Sequence, residues 1–440
     1  MFDRNVAESL FASLEKHWIT EPSEYGMRRP SYSAEEEEAA AFFLEQAKAL
    51  QIPAYKDGAG NYYFILEGTD PLLPAIVSGS HVDSVPRGGR YDGPAGVVAP
   101  FSVLAAFKKQ GIKPPHTVCA MIIRGEEGAW FGQVSIGAKL ATGELDTEKL
   151  QQLHRADTQL SLYDSMQQIG LKPQTLENKS AVFPLRQTAC FIELHIEQGP
   201  LLKDKNLPVG IVTGIRGNIR YREIKCVGEA GHTGTVPHHM RKDAVRASVY
   251  VLHTLEVIFT AMQQQNMDLV FTFPVANTGA AGAHTTIPYD FRFAIEVRSQ
   301  SKEVIDKAQA AIEKTIKEAE TKFHVRFELP TPIKTLPATM DDKVQTALAQ
   351  ETEKMKLPVF SMPSGAGHDT SVFANAGIPS GMIFIRHNGI SHNPEEDMPM
   401  DDFTLGTNLL AHFMQKGLVV QGQTTQSFIQ ALVQKGAVRL

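Results

Sequence analysis

The chain has 440 residues, enough for two or three domains and a large apolar core. Its 42% apolar and 21% charged residues are those of an ordinary globular enzyme. A net charge of −6, from 43 basic and 49 acidic side chains, argues against a nucleic-acid or anionic-membrane partner, since either favours a basic surface. The segment Met1 to Glu8 lacks a basic stretch followed by an apolar core, so it does not read as a signal peptide. No uninterrupted apolar run approaches the ~20 residues of a membrane span. Cys119, Cys190 and Cys226 are far apart and form no CxxC pair, which implies neither a disulfide framework nor a thiolate metal site. These features point to a cytoplasmic protein.

In chain order, Ala34 to Leu50 reads as an acidic-started amphipathic helix and Pro74 to Ser80 as an apolar strand. Residues 96–110 read as a helix, Thr117 to Arg124 as a strand and Cys190 to His195 as another. Near-continuous apolar strands separated by helices predict a mostly parallel, buried sheet. Ligands of such sheets bind beyond the carboxyl ends of the strands, where His81, Glu126, Glu127 and His195 all fall. From about residue 213 the pattern changes. Asn218 to Val227 reads as a strand, 241–264 as a helix, Met267 to Val275 and Thr286 to Val297 as strands, 301–321 as a helix and His324 to Leu329 as a strand. That β-α-β-β-α-β order is the split βαβ, or ferredoxin-like, unit. Pro330-Thr331-Pro332 reads as its exit linker. A helix near 342–356, a strand at Gly381 to Ile385 and helices from about 401 resume the first pattern, and Phe428, Leu432 and Val433 give the stretch from Gln421 to Leu440 an amphipathic spacing. The expected fold is α/β: a discontinuous catalytic domain of residues 1–212 and 332–440, with an inserted α+β domain of residues 213–331.

The chemistry concentrates at strand ends. In the extended segment His81-Val82-Asp83, residues i and i+2 point to one side. Asp83 can therefore fix the tautomer of His81, as metal-bound histidines usually require. Gly88-Gly89-Arg90-Tyr91-Asp92-Gly93 adds an acid in a glycine-rich turn, where backbone can approach an ion closely. Glu126 and Glu127 end an apolar run between Gly125 and Gly128. One carboxylate of such a pair can bind a metal while the other takes a proton from water on that metal. His195 ends another strand, and His392 sits in a polar stretch beside Gly389. Any one of these reads equally as a surface acid or a structural histidine; the joint pattern is informative.

That pattern runs through Gly79-Ser80-His81-Val82-Asp83-Ser84-Val85-Pro86, Gly88 to Gly93, Glu126-Glu127-Gly128 and Glu193-Leu194-His195-Ile196-Glu197-Gln198-Gly199-Pro200. It continues with Gly231-His232-Thr233-Gly234-Thr235, Arg241-Lys242-Asp243-Ala244, Pro363-Ser364-Gly365-Ala366-Gly367-His368-Asp369 and Gly389-Ile390-Ser391-His392-Asn393-Pro394. In this order, across nearly the whole chain, the segments closely resemble the hydantoinase/carbamoylase-type amidase branch of the M20 metallopeptidase family. That branch includes N-carbamoyl-L-amino-acid hydrolases, β-ureidopropionases and allantoate amidohydrolases, and the segment from His195 to Pro200 separates it from peptidase relatives.

The resemblance implies that Asp92 bridges two divalent ions, one also bound by His81 and His195, the other by Glu127 and His392. Nitrogen and carboxylate donors suit zinc, manganese, cobalt or nickel. It implies that Glu126 is the general base for a bridging water, that His232 stabilises the oxyanion and that Asp83 belongs with them to the catalytic set. In relatives that histidine comes from the inserted domain, a lid and dimerisation unit, and reaches the partner subunit's site. Gln198, His232, Thr285, Arg298 and the backbone of Gly365 and Gly367 match positions that hold substrate. Arg298 is chemically apt, because a guanidinium binds a carboxylate bidentately. His238, His239, His284 and His387 match no motif and read as surface or structural residues.

Relatives usually carry a third acid and a Ser-Arg pair around the Glu-Glu, where this chain has Gly125 and Ala129-Trp130. They also carry an asparagine where this chain has Thr285, which offers a hydroxyl but no two-sided amide; Arg386-His387-Asn388 before Gly389 is unusual too. The expected protein is a homodimeric two-metal amidohydrolase acting on a small-molecule substrate, typically an N-carbamoyl-L-amino acid. The alternatives are an allantoate amidohydrolase, a β-ureidopropionase or another N-acyl amino-acid amidase with a pocket altered by Trp130 and Thr285. A non-catalytic ligand-binding relative is expected to lose a ligand or Glu126, and all are present.

Overall fold

The apolar runs Ala75–His81, Val118–Ile123 and Thr188–Ile196 are buried along their whole length. In the computed structural model of the protein, which describes residues 2–278, 284–419 and 422–440, they form the middle of a ten-stranded sheet. The chain divides into two compact units, residues 1–213 with 339–440 and residues 214–338.

In the first unit, strand Ala75–His81 pairs in parallel with Val118–Ile123 on one side and Thr188–Ile196 on the other, and Ser380–Ile385 continues in parallel beyond Thr188–Ile196. The register aligns His81 with Ile123 and His195 with Phe384. Parallel pairing with this register makes the carboxyl ends of the central strands share one edge of the sheet, so the polar residues that follow each apolar run gather there.

The sheet is mixed rather than mostly parallel. Tyr62–Leu66 pairs antiparallel with Val118–Ile123, then Ala54–Lys56 and Val438–Arg439 follow antiparallel, and Val209–Ile215 pairs antiparallel with Ser380–Ile385. The short connection from Lys56 to Tyr62 permits only a hairpin, because a parallel crossover needs a dozen or more residues. Helix Pro94–Gln110, buried from Pro94 to Phe107, packs on the central strands with Val97, Val98, Phe101 and Leu104 in the main core.

The second unit has the strand order Val270–Thr272, Asp290–Ser299, Gly217–Val227, Arg326–Glu328, all antiparallel. Helices Ala244–Gln264 and Lys302–Phe323 share its apolar core, which gives the split βαβ arrangement. The strand expected from Met267 to Val275 shortens to Val270–Thr272, with Ala276–Asn277 a separate piece. Pro274, which has no N–H for the ladder, lies between them. Likewise Pro288 delays the strand expected from Thr286, which runs Asp290–Ser299. Helix Ala244–Gln264 is long and apolar enough to cross a membrane by length and composition. Its apolar side chains have another use here: Ala247, Val251, Leu255 and Phe259 are buried in this unit's core with Ile312 and Ile316.

The end of strand Val118–Ile123 shows how the fold aims the acids that follow. Arg124 is fully buried, with Nη2 2.8 Å from Glu36 and Nη1 2.6 Å from Glu37, both on helix Ala34–Leu50. Gly125 then turns the chain with φ +62°, and a Cβ there would lie 2.9 Å from the Tyr32 ring. Replacing it by alanine is expected to cost about 1–2 kcal/mol for the left-handed backbone alone, before the contact with Tyr32 is counted. Urea unfolding of Gly125→Ala measures this, and an unchanged midpoint would refute the account of the turn.

Candidate metal centre

His81 ends its strand and His195 is the penultimate residue of its own. Both imidazoles are buried and held through Nδ1. For His81 the Asp83 carbonyl oxygen accepts at 3.0 Å and Asp83 Oδ1 lies at 3.3 Å; for His195 the Ile196 carbonyl accepts at 2.8 Å. With the proton on Nδ1, each Nε2 keeps a free lone pair. Both Nε2 atoms face Asp92 Oδ1, at 3.8 Å from His81 and 3.2 Å from His195. The Gly93 N–H donates to His195 Nε2 at 3.2 Å, which fits the same tautomer.

The other oxygen of Asp92 serves a second group. Its Oδ2 lies 3.4 Å from His392 Nε2, which is also 3.7 Å from Glu127 Oε1. Two sets result, His81, Asp92 and His195, then Asp92, Glu127 and His392, each with its donor atoms within 4.8 Å of one another and Asp92 in both. Gln198 Nε2 and the Ser391 hydroxyl donate to Asp92 Oδ2 at 2.8 and 2.9 Å. Gln198 Oε1 stays buried without a hydrogen-bond partner.

Asp83 ties these pieces together. Its Oδ1 accepts the Glu126 N–H at 3.1 Å, and its Oδ2 accepts the Glu127 N–H at 3.1 Å and the Ser31 hydroxyl at 2.5 Å. Burial works against its charge, but His81, Ser31 and the Glu127 N–H hold the carboxyl below its usual range.

The electrostatics favour a bound cation. Burial pushes Glu126 up to about 7. Burial, Asp92 and Glu126 push Glu127 well above the usual carboxylate range. Asp369 is fully buried with neither carboxylate oxygen hydrogen-bonded, and burial and Glu126 raise it too. Burial disfavours charge on His81, yet Asp83 and the surrounding acids outweigh it and raise the imidazole. Among the described residues, the ion pairs of Asp92 and Glu127 are with histidines. A buried surplus of carboxylates facing two imidazole lone pairs, without thiolates, fits divalent metal ions.

Sequence reasoning leaves several residues out. His368 is buried 4.6 Å from His195, ring centre to ring centre, and its Nε2 lies 3.0 Å from Ser364 Oγ. Glu193, His195 and His368 make a third cluster. Glu193 is already committed, since Oε1 accepts from the Ser80 hydroxyl at 2.7 Å and Oε2 from the Thr370 N–H and hydroxyl at 3.0 and 2.6 Å. The motifs from Glu193 and from Pro363 contain Glu193, His368 and Asp369, so their presence is legible but their burial is not. Glu396, buried beside Asp92, has no sequence signal.

Of the expected substrate contacts in this unit, Gly365 and Gly367 are exposed, and a Cβ on Gly367 would meet nothing within 4 Å. In the second unit His232 and Thr285 are exposed, and His232 Nδ1 accepts the Gly234 N–H at 3.0 Å. Arg298 is engaged with Glu296, whose Oε1 is 2.9 Å from Nε and 2.6 Å from Nη2 and also takes Arg220 at 2.7 Å. Trp130 packs inward. It is 3% exposed, packs with Tyr32, Phe131, Ile136 and Leu140, and donates its Nε1–H to the Ser84 carbonyl at 2.6 Å. His387 is buried, and His238 and His239 are exposed.

Carboxylate-bridged donor groups at the strand ends of a large mixed α/β sheet define a metallohydrolase. The model of peptidase family M20/M25/M40 matches residues 77–416. The N-carbamoyl-L-amino-acid amidohydrolase of Pseudomonas sp. (strain NS671) is 30% identical over 394 residues, 89% of this chain and 93% of the relative. The allantoate amidohydrolase of Escherichia coli (strain K12) is 31% identical over 391 residues, covering 88% and 92%. The crystal structure of a hydantoinase/carbamoylase family amidase from Burkholderia ambifaria has a TM-score of 0.82 at 25% identity, covering 96% and 99%. The chain therefore belongs to peptidase family M20/M25/M40, in its hydantoinase/carbamoylase-type amidase branch, and is a hydrolase of non-peptide C–N amide bonds.

Because Asp83 holds His81 and both glutamate backbones, Asp83→Ala is expected to weaken divalent-metal affinity by about 10–100-fold, the usual effect of losing a residue that orients ligands. Metal content after dialysis against a buffered metal series reads this directly, and wild-type retention would contradict it.

Proposed function

We propose that the chain is a two-metal amidohydrolase that cleaves a linear ureido or amide C–N bond in a small carboxylated substrate, with an N-carbamoyl-L-amino acid the leading choice. The observation that carries this reading is Asp92, whose two oxygens serve different donor groups, while Glu126, beside Glu127, belongs to neither. His81, Asp92 and His195, and Asp92, Glu127 and His392, would hold the ions, whether zinc, manganese, cobalt or nickel, which would supply Lewis acidity toward the carbonyl and a more acidic water. Glu126 accepts the proton of the attacking water as the new C–O bond forms and delivers it to the leaving nitrogen as the C–N bond breaks. Asp83 keeps Glu126 and Glu127 oriented through their backbone N–H groups, and the Ser135 hydroxyl lies 3.5 Å from Glu126 Oε1.

For substrate, the unpartnered Gln198 Oε1 supports a contact with a ureido or amide N–H. Gly365 and Gly367 offer backbone N–H groups to a carboxylate. His232 is assigned to the oxyanion, and Thr285 and Arg298 to the carboxylate end; Glu296 must yield for Arg298 to do this. Allantoate, N-carbamoyl-β-alanine and other N-acyl amino acids form the second reading, since relatives named for allantoate and for N-carbamoyl-L-amino acids are about equally similar to this chain.

We further propose a homodimer formed through residues 214–338, acting as lid and dimerisation domain, in the cytoplasm. Exposed Val249 and Val257 on helix Ala244–Gln264 support the dimer, and three buried, unpaired cysteines suit a reducing compartment.

Glu126→Gln is expected to keep fold and bound metal but lose about 10²–10⁴-fold in kcat, the range for a general acid–base group. Near-wild-type turnover would remove Glu126 from the role of base. Chelation is expected to abolish activity and added Mn, Co, Ni or Zn to restore it, assayed on N-carbamoyl-L- and D-amino acids, N-carbamoyl-β-alanine, allantoate, N-acetyl amino acids and dipeptides; full activity in metal-free protein would refute the reading.

A further inference from the structure

We propose that Glu396 is a positioning residue that sets Asp92 against His392 and so determines whether the group of Asp92, Glu127 and His392 takes its ion; this rests on the two-ion reading. Glu396 is 1% exposed and lies in the segment between His392 and helix Met400–Lys416. Its Oε1 accepts two consecutive backbone N–H groups, Tyr91 at 2.8 Å and Asp92 at 3.1 Å. Its Oε2 lies 3.4 Å from Ser391 Oγ, whose hydroxyl is 2.9 Å from Asp92 Oδ2. Glu396 thus grips Asp92 at the backbone while Ser391, from the same loop, grips its side chain.

The glycine-rich turn before Asp92 has its explanation here. A Cβ on Gly89 would lie 2.3 Å from Glu396 Oε1 and 2.3 Å from its Cδ. The glycine admits the Glu396 carboxylate, where the sequence suggests room for an ion.

The loop carrying Glu396 is braced internally. The Asn388 N–H donates to the Asp397 carbonyl at 2.8 Å, Asn388 Nδ2 to the Glu395 carbonyl at 2.6 Å, and the Glu395 N–H to Asn393 Oδ1 at 2.9 Å. The Glu396 N–H also donates to the Asn393 carbonyl at 3.0 Å, so the turn after His392 is tied to Glu396, and Glu396 docks it on Asp92. By contrast, His81 and His195 are anchored through Nδ1 by acceptors of their own segments. Both donor groups share Asp92, but only the second also takes a donor, His392, from the docked loop.

Among the described residues Glu396 has no lysine or arginine partner within salt-bridge distance, yet it is buried beside Asp92. A buried carboxylate without a lysine or arginine beside it is costly unless hydrogen bonds or a nearby cation compensate it.

The test titrates metal-free wild type, Glu396→Ala, Glu396→Asp and Glu396→Gln with Mn²⁺ by calorimetry, and follows amide hydrogen exchange at Tyr91 and Asp92 before metal is added. Wild type and Glu396→Gln, which keeps the Oε1 acceptor, are expected to take two equivalents and protect both amides. Glu396→Ala is expected to expose the amides and to weaken the second equivalent by about 10–100-fold, with the first weakened less because it shares Asp92 but not His392. Glu396→Asp, one methylene shorter, is expected to behave likewise and stands in if the alanine variant does not fold. Wild-type affinity for both equivalents in Ala and Asp, equal weakening of both, failure of Gln to rescue, or unchanged amide protection overturns the proposal. If wild type itself takes one equivalent, the two-ion reading falls, and amide exchange still decides whether Glu396 positions Asp92.

Discussion

The Asp83 carboxylate is buried just past the end of strand Ala75–His81, where it accepts the N–H groups of Glu126 and Glu127 and the Ser31 hydroxyl and faces His81 Nδ1. A strand that ends inside a protein leaves N–H groups without a ladder partner, and such groups must find acceptors. A carboxylate supplies strong, charge-assisted bonds to them. Glu36 does the same one residue earlier, accepting the Gly125 N–H at 3.0 Å. Three consecutive N–H groups are therefore held by two carboxylates from different parts of the chain. The glutamates that follow are fixed in backbone position before any ion arrives.

This bracing requires its own charge compensation. Arg124 pairs with Glu36, and Arg29, fully buried, donates Nε–H to the Val82 carbonyl at 2.5 Å and Nη1–H to the Leu14 carbonyl at 2.9 Å. Burial pushes Arg29 down to about 10, so it stays cationic at neutral pH behind Asp83. The arginines thus sit on the scaffold side of the acidic layer, while the side that faces the donor groups has imidazoles. That asymmetry leaves the negative charge of Asp92, Glu126 and Glu127 for a metal ion and a proton to satisfy.

The strand ends are legible in the sequence because buried parallel strands are apolar throughout and stop where polarity returns. His81, Glu127 and His195 are found that way, and Asp83 follows from its i+2 relation to His81. The mixed sheet is not legible, since apolar Tyr62–Leu66 carries no mark of its direction. Pro274 and Pro288 are visible, but their effect depends on which N–H groups face the neighbouring strand. Glu396 escapes because Asn393-Pro394-Glu395-Glu396-Asp397 reads as a solvated turn, and its partners are backbone N–H groups near residue 91.

The flanks of the Glu-Glu pair, where this chain departs from the family pattern, belong to the scaffold. Gly125 needs its positive φ and its lack of a Cβ to pass Tyr32, and Tyr32 packs in the cluster that Trp130 fills. The Trp130 N–H in turn takes the carbonyl of Ser84, the residue after Asp83. Gly125, Tyr32 and Trp130 are thus one packing solution that supports Asp83 from behind. A change there alters how firmly the acids are held. Gln198 Oε1, beside Asp92, keeps unused hydrogen-bonding capacity. The buried His387, whose imidazole burial pushes down, lies beside Gly199.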